Sequence, residues 1–298
     1  MKKISYACIM TAGCLWGLNG LFFRFLSEYG FDQIQITFMK VAVASVLLGL
    51  SILVKDPSGF KVRWRDLWIF IGAGMISMLF FNYCYYTSMV YTTVAVTVSL
   101  LYTSPGFVVL FSAFLFREKI TPRKLAALVI LFIGCACASG LFAGPQRVTV
   151  AGIFWGLLAG LSYSLYTIFN RFALNRGYST RTISFYFIFI CAVGAIPFCD
   201  FGTLASTLTL PAFFIFLANG AFCCVMPYIC FTTGMKKLEA GEAAMLATSE
   251  PVMAAVASAV LLSEPLSGFV ILGIVLIIGG IVLMNIRLKG NGTAGKEC

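Results

Sequence analysis

The chain has 298 residues, 60% of them hydrophobic and only 11% charged, and a formal net charge of +10. Globular chains are about 25% charged, so too few polar groups are present to clothe a soluble surface of this size. With no histidine, histidine-based catalysis and most transition-metal sites are excluded, and no cofactor is expected.

A membrane-spanning helix needs about 20 mainly apolar residues. Such stretches are predicted at 4–26, 34–54, 67–88, 92–116, 123–143, 149–174, 182–200, 210–235, 241–262 and 267–287, an all-α integral-membrane chain of ten spans. The first begins like a signal peptide ("KKISYACIMTAGC"), but its apolar run continues through "LWGLNGLFF", as an uncleaved helix would. Trp16 and Asn19 lie on one face of it, i and i+3. Span 2 carries Lys40 in its outer half, placed to snorkel outward, or else to meet an anionic substrate group or Glu250. Span 3 groups Asn82, Tyr85 and Tyr86, with Gly72-x-Gly74 as a packing surface.

Span 4 brings Tyr102 just before Pro105 and ends at Arg117-Glu118-Lys119. Cys135 and Cys137 in span 5, and Cys223 and Cys224 in span 8, lack metal or redox spacing and read as small packing residues. Span 6 puts Tyr163, Tyr166 and Asn170 on one face, after Gly156-x-x-x-Gly160, which suits a homodimer face or packing inside the bundle. Tyr and Trp also populate interfacial belts. That reading fits Tyr91 and Tyr178 at span ends better than Trp16, Tyr163 and Tyr166.

Span 9 holds the one acidic residue placed deep in a span, Glu250, next to Pro251. A carboxyl at that depth suits proton coupling or a cationic group. The bland alternative is a protonated glutamate bonded to backbone that the proline has freed. Pro105 and Pro251 serve either as hinges or as packing kinks. Glu264 ends span 9 where it can help start the next helix. "GIVLIIGG" in span 10 is a further packing surface, and residues 289–298 form a flexible polar tail.

With the N-terminus inside and the spans alternating, 18 of the 21 Lys and Arg fall on the inner side, leaving Arg24, Lys40 and Arg147 outside. This positive-inside bias places both termini in the cytoplasm and accounts for the charge without nucleic acid. It also puts the Asn291 sequon where glycosylation does not occur.

A shift of 146 residues lays Pro105 on Pro251, Glu118 on Glu264, Gly74 on Gly220, Cys84 on Cys230 and Gly134 on Gly280. One residue more lays Trp16 on Tyr163 and Arg24 on Arg171. The chain therefore divides into residues 1–145 and 146–288, five spans each. An odd number of spans forces the second repeat to insert inverted, an architecture of secondary transporters with a central site. Glu250 breaks the symmetry, because its partner position holds Ser104.

The Trp-Gly of "CLWGLNGLFF", the proline-to-glutamate spacing of "YTSPGFVVLFSAFLFREKIT", and "SEPVMAAVASAVLLSEPL" followed by "GIVLIIGGIVL" resemble the drug/metabolite transporter superfamily in its ten-helix EamA branch. The resemblance covers the whole chain. It implies an alternating-access carrier in the cell membrane for small metabolites or drugs, commonly outward, amino acids among them. Many relatives carry an arginine early in span 2, where this chain has Lys40. An uptake carrier or facilitator is the rival on the same fold. A membrane-embedded enzyme lacks histidine, metal and P-loop signals, and a non-transporting receptor gives no reason for a mid-membrane glutamate.

Overall fold

The computed structural model describes residues 2–142, 144, 147–261, 263 and 266–285; Glu264 and the 289–298 tail lie outside them. Every regular element among the described residues is helical. Eight helices are long and apolar enough to cross a membrane: spans 1 (Lys2–Glu28), 2 (Gln33–Lys55), 3 (Trp64–Tyr91), 4 (Val94–Phe116), 6 (Val150–Asn175), 7 (Thr180–Phe198), 8 (Leu210–Met235) and 9 (Ala240–Leu261). Two shorter ones, span 5 (Pro122–Ala138) and span 10 (Gly268–Asn285), pack along each other and complete the ten. Outward-facing side chains such as Phe114 and Trp64, each 85% exposed, leave an apolar surface that only lipid satisfies.

Local chemistry starts these helices. Asp32 and Gln35 form a reciprocal capping box at span 2. Thr93, Thr121, Thr149, Ser179 and Thr209 cap spans 4 to 8 in turn, leaving out span 3 and its own entry turn. Span 7 ends in a tight turn at Ile196–Phe198, where Pro197 cannot continue the ladder.

The irregularities of the two halves match. Span 4 breaks at Tyr102–Thr103, before the helix Ser104–Phe116, and span 9 breaks at Ala247–Thr248, before Ser249–Leu261. The prolines thus sit in the first turn of a restarted helix, where a missing N–H costs little, rather than inside a kink. Span 3 is π-helical over Gly72–Phe80 and span 8 over Ala221–Val225. Left-handed residues end spans 4 and 9 at Arg117 (φ 56°) and Ser263 (φ 55°). Shifting by 146 superposes the left-handed residues, brings the breaks together to within one residue and lays the longer π-helical stretch over the shorter, as two inverted repeats require. Span 1 alone departs, breaking at Leu18, while its partner span 6 runs unbroken.

The halves interlock. Span 1 packs on spans 8 and 9, and span 6 on spans 3 and 4. Gly160 faces the Leu100 carbonyl and Thr103 of span 4, so the Gly156/Gly160 surface is used inside the bundle rather than for a dimer. At the end of the bundle that holds the basic clusters, here the basic face, Asp66 is almost fully buried. It accepts from Tyr178 Oη at 2.8 Å and Arg63 Nε at 2.9 Å, and pairs with Arg176 at 3.1 Å. These contacts tie the entry of span 3 to the turn between spans 6 and 7. Asp66→Asn is expected to lower the melting temperature of purified protein by about 3 °C or more, because three donors lose their anionic acceptor. An unchanged melting curve would show that the tie bears no load.

Candidate functional site

A cavity of about 170 Å³ lies between the two halves, with walls from spans 1 to 4 and 6 to 9. Trp16, Asn19, Asn82, Tyr85, Tyr163, Tyr166, Lys40 and Glu250, all singled out in the sequence, line it. The break at Leu18 puts Asn19 at the start of a new helix, and its Oδ1 accepts from Lys40 Nζ at 3.2 Å. Lys40 therefore turns into the cavity instead of snorkelling outward. Across the cavity, Tyr163 Oη donates to Glu250 Oε2 at 3.4 Å. One cation and one carboxyl thus share a single chamber, each held by a neutral polar neighbour.

Aromatic rings make the rest of the wall. Trp16 meets Tyr228 edge-on at 5.5 Å and Tyr166 at 6.1 Å, and Tyr166 meets Tyr228 at 5.2 Å. Phe81 joins Tyr163 at 5.3 Å. Rings arranged this way offer faces to organic cations and edges to apolar groups. The π-helical segments supply Ser77 and Met78 from one half and Cys223 and Cys224 from the other. Asn82 anchors its amide on the Met78 carbonyl at 2.6 Å.

Four sequence-predicted residues stand elsewhere. Tyr102 lines a separate apolar groove of about 350 Å³ with Pro105, Gly106, Leu110 and Leu128, while its neighbour Leu101 takes the cavity position. The break after Leu101 is what turns Tyr102 away. Asn170 is fully buried, one helical turn past Tyr166, and donates to Thr232 Oγ1 at 2.8 Å and to Tyr166 Oη at 3.3 Å. It steadies the ring layer from behind. Pro105 belongs to the groove, and Pro251 is buried beside Glu250 without lining the cavity. Sequence reasoning missed Tyr228, Phe81, Thr37 and the cavity-facing thiols Cys191, Cys223 and Cys224. The adjacent Cys223-Cys224 pair was visible, but its proximity to the site was not.

Toward the basic face the passage is shut. Below the ring layer, Ser164, Thr167, Phe231 and Ala244 leave a void of only about 20 Å³. Span 9 begins at Glu239, whose side chain caps nothing; Glu118, swung round by the left-handed Arg117, does so instead. Its oxygens accept from Ala240 N–H at 2.7 Å and Gly241 N–H at 3.2 Å. Arg171 lies 3.9 Å from the same carboxylate and donates to the Met235 and Leu238 carbonyls, and Lys124 pairs with Glu239. Glu118 is thus a helix-end charge as expected, but the helix it serves is span 9 rather than its own.

Residues 3–140 and 150–286 each match the EamA-like transporter family, one match per half. A protein of Archaeoglobus fulgidus described as an uncharacterized transporter is 26% identical over 93% of this chain and 99% of its own length. The Bacillus subtilis uncharacterized transporter YxxF is 25% identical over 92% of this chain and 88% of its length. A solved structure titled only "Crystal structure of protein" shares the fold with a TM-score of 0.77 at 20% identity, covering 94% of this chain and 96% of that one. With the family matched over nearly the whole chain and a central cavity walled by eight of the ten helices, this multi-pass membrane protein belongs to the EamA-like transporter family.

Proposed function

We propose that this membrane transporter is a secondary carrier exporting small amphipathic metabolites, amino acids and related zwitterions foremost, by alternating access coupled to protons. The observation that carries the reading is the opposed pair in one aromatic chamber, Lys40 steadied by Asn19 and Glu250 bonded to Tyr163. A solute with a carboxylate and an ammonium group finds a partner for each charge, and the rings accommodate its side chain. A carboxyl that holds either a proton or a cationic group exchanges one for the other, which is the elementary step of antiport. The breaks before Pro105 and Pro251 serve as hinges. The repeats are taken as 1–145 and 146–288, followed by the tail 289–298. The basic face is taken as cytoplasmic in the inner or plasma membrane, on the positive-inside bias; the closed passage toward it then supports an outward-facing state.

The test compares metabolites in medium and cells, with and without overexpression, and repeats the comparison for Glu250→Gln. A solute enriched outside only when Glu250 is present supports export. Depletion from the medium would overturn export in favour of uptake. Lys40→Met is expected to raise the half-saturating concentration of a carboxylate-bearing solute by about tenfold or more, the equivalent of one lost charge-assisted hydrogen bond. An unchanged value in vesicle uptake would remove Lys40 from the carboxylate's binding site.

A further inference from the structure

The position of Glu250 is not fixed by its own helix. Ala247 and Thr248 interrupt span 9 just before it, and Pro251 just after it donates no backbone hydrogen bond. Around the break the local pairing is of short range, with Thr248 N–H on the Met245 carbonyl at 3.3 Å and Glu250 N–H on the Ala247 carbonyl at 3.0 Å. What holds this stretch is span 1. Ser249 Oγ donates to the Met10 carbonyl at 3.3 Å. A Cβ added to Gly13 would meet the Ser249 hydroxyl and come within 2.9 Å of the Ala247 carbonyl oxygen. One turn on, a Cβ added to Gly17 would strike the Glu250 carbonyl oxygen, with Met253 Cβ at 2.9 Å and Ala254 N at 3.0 Å. Apart from the Ser249 hydroxyl, which can rotate, these neighbours are backbone and Cβ atoms, which cannot swing aside.

The other half repeats the first notch and lacks the second. Gly160, the partner of Gly13 at a shift of 147, seats the break of span 4: a Cβ there would come within 3.0 Å of the Leu100 carbonyl and 2.8 Å of Thr103 Oγ1. Each broken helix is thus seated by a glycine of the opposite repeat. The partner of Gly17 is Ser164, and the partner of Glu250 is Ser104. The extra glycine and the extra carboxyl occur together, in the same half of the interlock.

We propose that Gly17 is a positioning residue for Glu250, its bare Cα letting span 1 lie directly on the Glu250 carbonyl and thereby setting where the carboxyl stands in the cavity. The role rests on the reading of Glu250 as the coupling carboxyl. The titratable groups whose charge bears on Glu250 stand on five other spans: Lys40, Tyr85 and Tyr163 line the cavity with it, and Tyr102 and Cys135 lie behind the wall. Tyr228 from span 8 shares the cavity, and Cys14 on span 1 bonds Ser249. A shift of the carboxyl by even part of an ångström changes its distance from several of these at once.

The test labels the full-length protein in lipid nanodiscs with dicyclohexylcarbodiimide, which converts a protonated buried carboxyl to a stable N-acylurea, and follows the Glu250 peptide by mass spectrometry from acid to alkaline pH. Gly17→Ala is expected to move the pH of half-maximal labelling by about half a unit or more, which corresponds to a change of several-fold in the proton equilibrium. Gly160→Ala, which disturbs the matching notch on the helix without a carboxyl, is expected to leave that pH unchanged. Gly17→Ala protein that labels along the wild-type curve, or equal shifts in both variants, would overturn the proposal. Should Gly17→Ala fail to insert, Gly13→Ala in a Ser249→Ala background applies a milder push to the same break and is read in the same way. The underlying reading of Glu250 fails separately, if Glu250→Gln transports with unaltered pH dependence while the labelling curves of the glycine variants still differ.

Discussion

Glu250→Gln is expected to reduce proton-driven export by about a hundredfold or more while leaving the protein folded and inserted. Glutamine keeps the length of the side chain and an oxygen for the Tyr163 hydroxyl, so the wall of the cavity survives. What it loses is the ability to exchange a proton and to bear a negative charge. An ion pair at about 4 Å with an effective dielectric near 20 is worth roughly 4 kcal/mol, so an ammonium group that relied on this carboxylate would lose most of its hold. Counterflow of labelled solute in vesicles without a pH gradient divides the two duties. If Glu250 only carries protons, exchange continues in the variant; if it also binds the ammonium, exchange stops too. Full export at every pH in Glu250→Gln protein would sink the assignment.

The ten spans were legible because a bilayer imposes a simple rule of length and polarity on each helix separately. The inverted repeat was legible because Pro105 with Pro251 and Glu118 with Glu264 keep one register; the left-handed turns of the structure obey that same shift and the matching breaks fall within one residue of it. Residue types costly in lipid pointed to the cavity, and Trp16, Asn19, Tyr163 and Glu250 lie there. The errors share a cause. A helical wheel assumes a continuous helix, and the break after Leu101 rotates Tyr102 into the lateral groove. Asn170 keeps the phase of Tyr166 but sits a turn closer to the basic face, behind the rings. Lys40 turns inward because Asn19, on another helix, receives it, and no argument confined to span 2 contains that partner. Gly17 was noted only as part of the Trp-Gly motif and Gly13 not at all, for the complementary reason: a glycine in an apolar run reads the same whether it faces lipid or another backbone. Nothing in the letters marked the π-helical stretches either, although both contribute to the cavity wall.

Glu118→Ala is expected to open the passage that this structure holds shut. Glu118 supplies the only side-chain cap found for span 9 among the described residues, since Glu239 makes none. Losing a cap costs about 0.5–2 kcal/mol. Here the cap joins the end of span 4 in one repeat to the start of span 9 in the other, so its loss penalises the arrangement seen here relative to one in which those ends part. Arg171, 15% exposed at its side chain, would also lose its carboxylate partner while still holding the Met235 and Leu238 carbonyls. A differential cost near 1.4 kcal/mol shifts the closed-to-open ratio by about tenfold. The native thiols report it without introduced cysteines. Cys191, Cys223 and Cys224 line the cavity, so a charged, membrane-impermeant methanethiosulfonate applied from the basic face reaches them only when that passage opens. Labelling of those three peptides from the basic face should rise by about tenfold in Glu118→Ala, while labelling from the opposite face stays level or falls. Glu118→Gln keeps a carbonyl oxygen for the Ala240 amide but not the charge facing Arg171, so it should fall between the two. If neither variant changes labelling from the basic face, Glu118 merely finishes a helix. The closure would then rest on the ring layer of Trp16, Tyr166, Tyr228 and Phe231 alone.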